Sequence, residues 1–208
     1  MILETITVGA FQMNSYVVGC EQSKKAIVID PGDEFVRLQQ AIEKHGLTIQ
    51  YILLTHAHID HIMAVSEMKN WTKAQICLHQ EDESMYTNLE QQATLYGFSA
   101  RNPPKIDHFI IEGDQFEFGT LKIKSLHTPG HSPGGVSFAL EEKMKTHIFT
   151  GDALFAGSIG RTDLWKGNHE LLIRSIKNKL LTFPDHATIY PGHDRLSTIG
   201  EERTHNPY

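Results

Sequence analysis

The chain has 208 residues, a hydrophobic fraction of 40% and a formal net charge of −6 at pH 7, which predicts a single soluble globular domain spanning residues 1–208. The acidic balance and the absence of a Lys/Arg cluster argue against a nucleic-acid partner, and no apolar run approaches the roughly 20 residues of a membrane helix. Residues 1–9 do not resemble a secretory leader, so we expect a cytoplasmic protein with no membrane partner.

The first third of the chain has the pattern of short strands around one helix. Apolar and β-branched residues predict strands at 2–8, 15–20, 25–30 and 51–54. Residues 30–33, Asp-Pro-Gly-Asp, have the chemistry of a turn. A helix is predicted from Glu34 to His45, because its apolar positions follow helical spacing and Gly46 stands where a helix cap is expected.

The remaining elements alternate in the same way. Helices are predicted at about 62–71, 81–96 and 169–181. Strands are predicted at 75–78, 109–111, 115–118, 121–127, 135–140, 147–150 and 187–190. Grouped strands with helices between them indicate a layered α/β domain with its helices outside the sheets.

Four potential metal ligands lie within six residues, directly after the predicted strand at 51–54. They are His56, His58, Asp60 and His61. Burying so many polar groups is costly unless each has a partner. We therefore predict a metal site in which His56 and His58 share one ion, while Asp60 and His61 face a second ion.

Three further candidate ligands also follow predicted strands at turns that contain glycine. His131 lies in a Pro- and Gly-rich turn, Asp152 follows Gly151, and His193 follows Gly192. An aspartate at Asp152 could bridge two cations. Recurrence of the pattern in four separate segments predicts that these side chains converge at one edge of the sheets.

Three other residues carry weaker signals. Ser158 lies in a sequence close to the nucleophile elbow of serine hydrolases, but Ala156 replaces the first glycine, so we interpret it as a loop residue. Arg161 could bind a substrate carboxylate or be a solvated surface residue. His127, at a strand end, is expected to pack or to donate a hydrogen bond rather than to bind metal.

Together, residues 55–61, His131, Asp152 and His193 resemble the motifs of the metallo-β-lactamase superfamily. The resemblance implies a four-layer αββα sandwich with a metal site at one edge. It also implies two sets of ligands: His56, His58 and His131 on one ion, and Asp60, His61 and His193 on the other, with Asp152 bridging both ions.

Within that superfamily, residues 158–163 and 198–203 look like those of small glyoxalase II-like hydrolases. Asp152 stands where true β-lactamases carry cysteine, which argues against antibiotic hydrolysis. In glyoxalase II proteins a basic residue matching Arg161 helps to hold glutathione. Only residues 194–208 follow His193, so we expect no carboxy-terminal helical region with further glutathione contacts. The resemblance therefore predicts the metal chemistry of this chain better than it predicts the substrate.

The leading hypothesis is hydrolysis of a thioester such as S-lactoylglutathione by a metal-bound hydroxide, with Asp60 and Asp152 as catalytic residues. Two divalent ions are expected: zinc is the first choice, and iron and manganese also suit histidine and carboxylate ligands. One alternative is persulfide oxidation at a single iron held by His56, His131 and Asp152. Another is a non-catalytic metal-binding module. The oligomeric state stays open.

Overall fold

The structure is a computed structural model that describes residues 1–208. The chain divides into two compact units, one comprising Met1–Ile110 and Glu117–Leu121 and the other Ile111–Phe116 and Lys122–Tyr208. The expectation of one domain over the whole chain stays a prediction. None of the helices has the length and apolar composition that crossing a membrane would require.

The first unit is built on a six-stranded sheet in which strand order follows chain order. Its strands are β1 (Ile2–Val8), β2 (Met13–Gly19), β3 (Lys25–Ile29), β4 (Thr48–Leu53), β5 (Gln75–His79) and β6 (His108–Ile110). The pairs β1–β2 and β2–β3 are antiparallel, whereas β3 to β6 run parallel. Ile29 pairs with Leu53, and Leu53 with Cys77. The segments that follow β3, β4 and β5 therefore emerge side by side at one edge of the sheet.

Five α-helices belong to this unit, α1 (Phe35–Lys44), α2 (Ile59–Ile62), α3 (Val65–Thr72), α4 (Glu83–Thr87) and α5 (Leu89–Leu95), with a short 3-10 helix at Gln80–Asp82 before α4. Leu38 and Ile42, four residues apart on α1, are buried in the core, which explains why this segment connects β3 to β4 as a helix. The helices predicted at 62–71 and 81–96 are each broken. Ala64 leaves the helical region before α3, and the amide of Asn88 donates to the Ser84 carbonyl between α4 and α5.

The second unit contains most of the other large sheet and a small hairpin, although Glu117–Leu121, where the first two strands of that sheet meet, are grouped with the first unit. The strands are β7 (Gln115–Phe118), β8 (Leu121–His127), β9 (Val136–Glu142), β10 (Lys145–Gly151), β11 (Leu154–Phe155), β12 (Ser158–Ile159), β13 (Thr188–Pro191) and β14 (Ser197–Thr198). The order in the large sheet is β14-β13-β10-β9-β8-β7, and β11 pairs with β12. Strands β10 and β13 are parallel neighbours, so the residues that follow them emerge together. The hairpin and β14 were not predicted.

Two helices complete this unit, α6 (His169–Ser175) and α7 (Ile199–His205). Leu172, Ile176 and Leu180 are buried in its core, as their spacing predicted. The predicted helix at 169–181 is present, but its second half, Ile176–Leu180, is a wider π-helical turn. Helix α7 was not predicted.

Candidate metal centre

The histidine-rich loop after β4 brings its four candidate ligands together. His56 and His61 are buried, whereas His58 and Asp60 are partly exposed. The His56 ring lies 4.7 Å from the His58 ring and 4.0 Å from the His61 ring, measured between centroids. A ligand atom of His56 lies within 4.8 Å of one on His58 and one on His61, and the same limit holds for Asp60 and His61. These side chains are close enough for neighbouring ones to bind the same metal ion.

A buried carboxylate, Asp30, fixes which ring nitrogen of two histidines carries the proton. Its Oδ2 lies 3.0 Å from His61 Nδ1 and accepts the Thr55 hydroxyl proton at 2.7 Å. A carboxylate accepts, so His61 Nδ1 donates. Because the single hydrogen of the Thr55 hydroxyl is donated to Asp30, the hydroxyl oxygen accepts a hydrogen bond from His56 Nδ1 at 3.0 Å. In both histidines Nε2 therefore keeps its lone pair, which is the form a metal requires.

Two further side chains hold the backbone of the loop. Asp82, which follows β5 and is fully buried, accepts the Ala57 N–H at 3.1 Å. Gln92 on α5 accepts the Ile59 N–H at 3.1 Å and donates to the Ala57 carbonyl at 3.0 Å. The strands β3, β4 and β5 thus contribute Asp30, the ligand loop and Asp82 to the same sheet edge. Ligands commonly bind at such carboxyl ends of parallel strands.

The second unit brings together His131, Asp152 and His193. Asp152 comes directly after β10, and His193 lies two residues after β13. Asp152 Oδ2 lies 3.5 Å from His131 Nε2 and 3.6 Å from His193 Nε2. One carboxylate oxygen of Asp152 therefore faces two imidazoles.

The backbone after β12 orients His131. Its Nδ1 lies 2.8 Å from the Arg161 carbonyl, which can only accept, so Nδ1 donates and Nε2 is the nitrogen facing Asp152. The chain passes closely here, since a Cβ at Gly160 would lie 1.8 Å from the Asp152 carbonyl oxygen and 3.1 Å from His131 Nδ1. Arg161 thus contacts a candidate ligand through its main chain, a role that the sequence did not suggest.

The Arg161 side chain points to a different partner. Its guanidinium, 60% exposed, donates to both carboxylate oxygens of Asp163 at 2.7 Å. These hydrogen bonds lower the pKa of Asp163 to about 2.

The structure also shows the surroundings of His127 and Ser158, the two other residues discussed in the sequence. The His127 ring nitrogen Nε2 lies 3.1 Å from the Pro133 carbonyl, so His127 donates a hydrogen bond, as expected. Ser158 lies in β12 and pairs with Phe155. A nucleophile elbow needs a turn from a strand into a helix, so the position of Ser158 in a hairpin excludes a nucleophile elbow.

Three residues that support the ligands were missed by the sequence interpretation. The sequence pattern indicates only a turn at Asp30, although its position after one of several parallel strands is an available signal. Asp82 shares that signal. Gln92 carries none, because only the folded chain brings it to the ligand loop.

The donor chemistry of both clusters fits divalent transition metals. The first unit offers three imidazoles and one carboxylate, and the second offers two imidazoles and one carboxylate. Nitrogen and oxygen donors of this kind suit zinc, iron and manganese. The hydrogen bonds at Nδ1 also orient the rings of His56, His61 and His131, so that their Nε2 atoms are preorganised to bind metal.

Residues 8–193 match the family model of the metallo-β-lactamase superfamily. The chain belongs to that superfamily. It is an enzyme of this metallo-hydrolase group, and the expected fold class is confirmed: two large sheets with helices form the metallo-β-lactamase type of α/β fold, as in the structural neighbours.

Two relatives are similar over nearly the whole chain. The hydroxyacylglutathione hydrolase GloC of Haemophilus influenzae is 39% identical, covering 100% of this chain and 98% of that protein. The mitochondrial persulfide dioxygenase ETHE1 of Mus musculus is 35% identical, covering 93% of this chain and 70% of that protein. The family is therefore shown, while the two names point to different reactions.

Two solved structures share the fold closely. The BLEG-1 B3 metallo-β-lactamase matches with a TM-score of 0.91 and 37% identity, covering 99% of this chain and 98% of that one. The protein TTHA1623, solved in a di-iron-bound form, matches with a TM-score of 0.88 and 37% identity over 98% of both chains. Divalent metal binding is thus supported, and the metal's identity is a separate question.

Proposed function

We propose that this chain is a metal-dependent thioester hydrolase whose substrates are S-acylglutathiones such as S-lactoylglutathione. The observation that carries the proposal is the pair of oriented histidine and carboxylate clusters, in a chain 39% identical over its length to a hydroxyacylglutathione hydrolase. The metals would be two divalent ions, with zinc expected. The likeness to a di-iron-bound structure makes iron the second metal to test.

The proposed ligands come from both units and would together make one dinuclear centre. His56, His58 and His131 would hold one ion, and Asp60, His61 and His193 the other, with Asp152 shared. Membership of the superfamily supports combining the two clusters. So does the position of Asp152 Oδ2, 3.5 and 3.6 Å from two imidazoles of its own unit.

When bound, such ions lower the pKa of a water molecule towards neutrality and polarise a substrate carbonyl. Asp60, whose Oδ2 lies 3.7 Å from His61 Nε2, would also accept a hydrogen bond from the attacking water and orient it. A thiol has a pKa near 8.5. The leaving thiolate therefore needs no strong general acid, and no such residue is required of the chain.

Arg161 is proposed to bind a carboxylate of the substrate. Its guanidinium is exposed and already holds the Asp163 carboxylate in a two-point contact. A substrate carboxylate has the same geometry and could replace Asp163.

The experiment is a thiol-release assay on purified protein loaded separately with zinc, iron or manganese. We expect free thiol from S-lactoylglutathione or another acylglutathione. The Asp152→Asn variant should lose most of this activity, whereas Glu141→Gln, an exposed carboxylate of the same unit, should keep it. No thiol release from any acylglutathione with any of these metals would overturn the proposal.

Persulfide oxidation is the second candidate, supported by the 35% identity to mouse persulfide dioxygenase ETHE1. His56, His131 and Asp152 supply two histidines and one carboxylate, a set typical of iron sites that activate oxygen. Oxygen uptake with glutathione persulfide, without thiol release from acylglutathiones, would favour this reaction. Because of the BLEG-1 likeness, the substrate screen should also contain a β-lactam.

A further inference from the structure

We propose that Glu202 and Asn206 are positioning residues for His131. They fix the β11–β12 hairpin, whose continuation supplies the carbonyl that orients the His131 ring. This inference rests on the proposed function, because it assigns a role in holding one of the proposed metal ligands.

Glu202 is a buried carboxylate with a complete set of donors. It is 4% exposed on α7, and its Oε2 accepts the Gly157 N–H at 2.8 Å and the Asn206 amide at 2.7 Å. Its Oε1 accepts the Ser197 hydroxyl proton. A charge this deeply buried is tolerated only when such partners satisfy it. Helix α7 is therefore bound directly to the turn of the hairpin.

Asn206 makes a second contact with the same hairpin. Its amide donates to the Ser158 carbonyl at 3.0 Å and, at the same time, to Glu202. Gly157 and Ser158 are adjacent, so two neighbouring residues of the hairpin are held from α7 and its C-terminal cap. Hydrogen bonds at two neighbouring residues fix the direction of the chain as well as its position.

The hairpin connects the residues held by Glu202 and Asn206 to the backbone that contacts His131. Leu154 pairs with Ile159, and Gly160 N–H donates to the Ala153 carbonyl at 3.4 Å. The next residue is Arg161, whose carbonyl accepts from His131 Nδ1 at 2.8 Å. A shift of the hairpin would therefore move the acceptor that keeps His131 Nε2 directed at Asp152.

Apolar packing and hydrogen bonds both hold the hairpin, since Leu154 is buried in the core of its unit with Ile159 packed against that core, and a pocket of about 120 Å³ adjoins both side chains. Leu154 and Ile159 of the hairpin line this pocket together with Glu202 and Asn206. Side chains that face a void lose contacts on that side. The hydrogen bonds from Glu202 and Asn206 add direct polar contacts to the hairpin beside this pocket.

The test compares Glu202→Ala with Glu202→Gln and two controls. Gln can restore the contacts, since its carbonyl can accept from Gly157 and Asn206 while its amide donates to Ser197. Glu201→Gln changes the adjacent carboxylate, which is 67% exposed. Ile42→Val lowers stability through the core of the other unit and controls for destabilisation alone.

Two readouts report on His131 itself. In the metal-free protein, NMR measures solvent exchange of the His131 Nδ1 proton, and chelator competition measures zinc affinity. We expect roughly tenfold faster exchange in Glu202→Ala and a loss in zinc affinity near the lower end of the 10- to 100-fold range for residues that orient a ligand. Glu202→Gln and both controls should stay within about twofold of wild type on that scale.

The outcomes separate the two proposals. If the wild-type protein binds no zinc, iron or manganese, the proposed function fails. If it binds metal and Glu202→Ala matches Glu201→Gln in proton exchange and affinity, the positioning role is wrong. An equal loss in Ile42→Val would also overturn it, because general destabilisation would then explain the result.

Discussion

Oδ2 of Asp30 lies 3.0 Å from Nδ1 of His61, and both side chains are buried. The same oxygen accepts the Thr55 hydroxyl proton, and that hydroxyl accepts from His56. One carboxylate therefore fixes the proton position on two candidate metal ligands. A residue whose sequence pattern indicates only a turn thus orients two histidines of the candidate metal site.

We expect Asp30→Asn to lower metal affinity by about 10- to 100-fold. Asparagine has nearly the shape of aspartate and tolerates the positive φ of 50° at this position. Its NH2 group cannot accept hydrogen bonds, so it cannot replace both carboxylate oxygens that accept from Thr55 and His61. Competition with a chromophoric chelator measures the change. Asp33→Asn, three residues along the same turn, is the control, and equal affinities in the two variants would refute this role for Asp30.

The candidate ligands could be predicted from the sequence because each follows a strand within a few residues. His56, Asp152 and His193 come after β4, β10 and β13, and short apolar runs followed by glycine or polar loops are local signals. The residue types complete the prediction, because histidines and aspartates that cluster in this way rarely serve any role other than metal binding or catalysis. The alternation of strands and helices predicted a layered α/β domain, whereas the four-layer αββα arrangement was implied by the resemblance to the metallo-β-lactamase superfamily.

The supporting residues could not be predicted in this way, because their partners are distant in the sequence. Asp30 reaches Thr55 across 25 residues, and Gln92 reaches Ala57 across 35. The β11–β12 hairpin has only two residues in each strand, too few for an alternating pattern. Helix α7 did leave a signal, since Thr198 caps the Glu201 N–H in the manner of a capping box.

Gly160→Ala is expected to abolish or strongly weaken metal binding while the chain still folds. The new Cβ would lie 1.8 Å from the Asp152 carbonyl oxygen, so the backbone beside two proposed ligands must move. Metal content after dialysis, with circular dichroism as the folding check, measures the effect. Gly157→Asn is the control, because nothing lies within 4 Å of its Cβ and asparagine tolerates its φ of 73°. Full metal content in Gly160→Ala would contradict the close approach.

The Arg161–Asp163 pair predicts opposite effects of two substitutions. Arg161→Ala should raise KM for a carboxylate-bearing thioester, whereas Asp163→Asn should lower it by freeing the guanidinium. An NMR titration checks the pair independently: Arg161→Ala should return the pKa of Asp163 from about 2 towards its ordinary value. If both substitutions shift KM in the same direction, Arg161 does not compete for substrate in this way.

His147 predicts a pH dependence of folding stability. Burial lowers its pKa, so the folded state disfavours its protonated form. The unfolded chain binds the proton more readily below about pH 6.5, and the free energy of unfolding therefore falls as the pH drops below that value. Urea unfolding of the metal-free protein at pH 7.5 and 5.5 should show a smaller loss in His147→Gln than in wild type. His186→Gln, at an exposed position, should lose as much as wild type; equal losses in all three would contradict the prediction.

Metal stoichiometry in paired histidine variants tests most directly whether both clusters form one dinuclear centre. Elemental analysis of metal-loaded protein should find two ions in wild type and one in His58→Ala, in His131→Ala and in the double variant of these two, because both residues are assigned to the same ion. The double variant of His58 and His193 should hold none. Loss of both ions from the His58/His131 variant, or retention of one by the His58/His193 variant, would contradict the account.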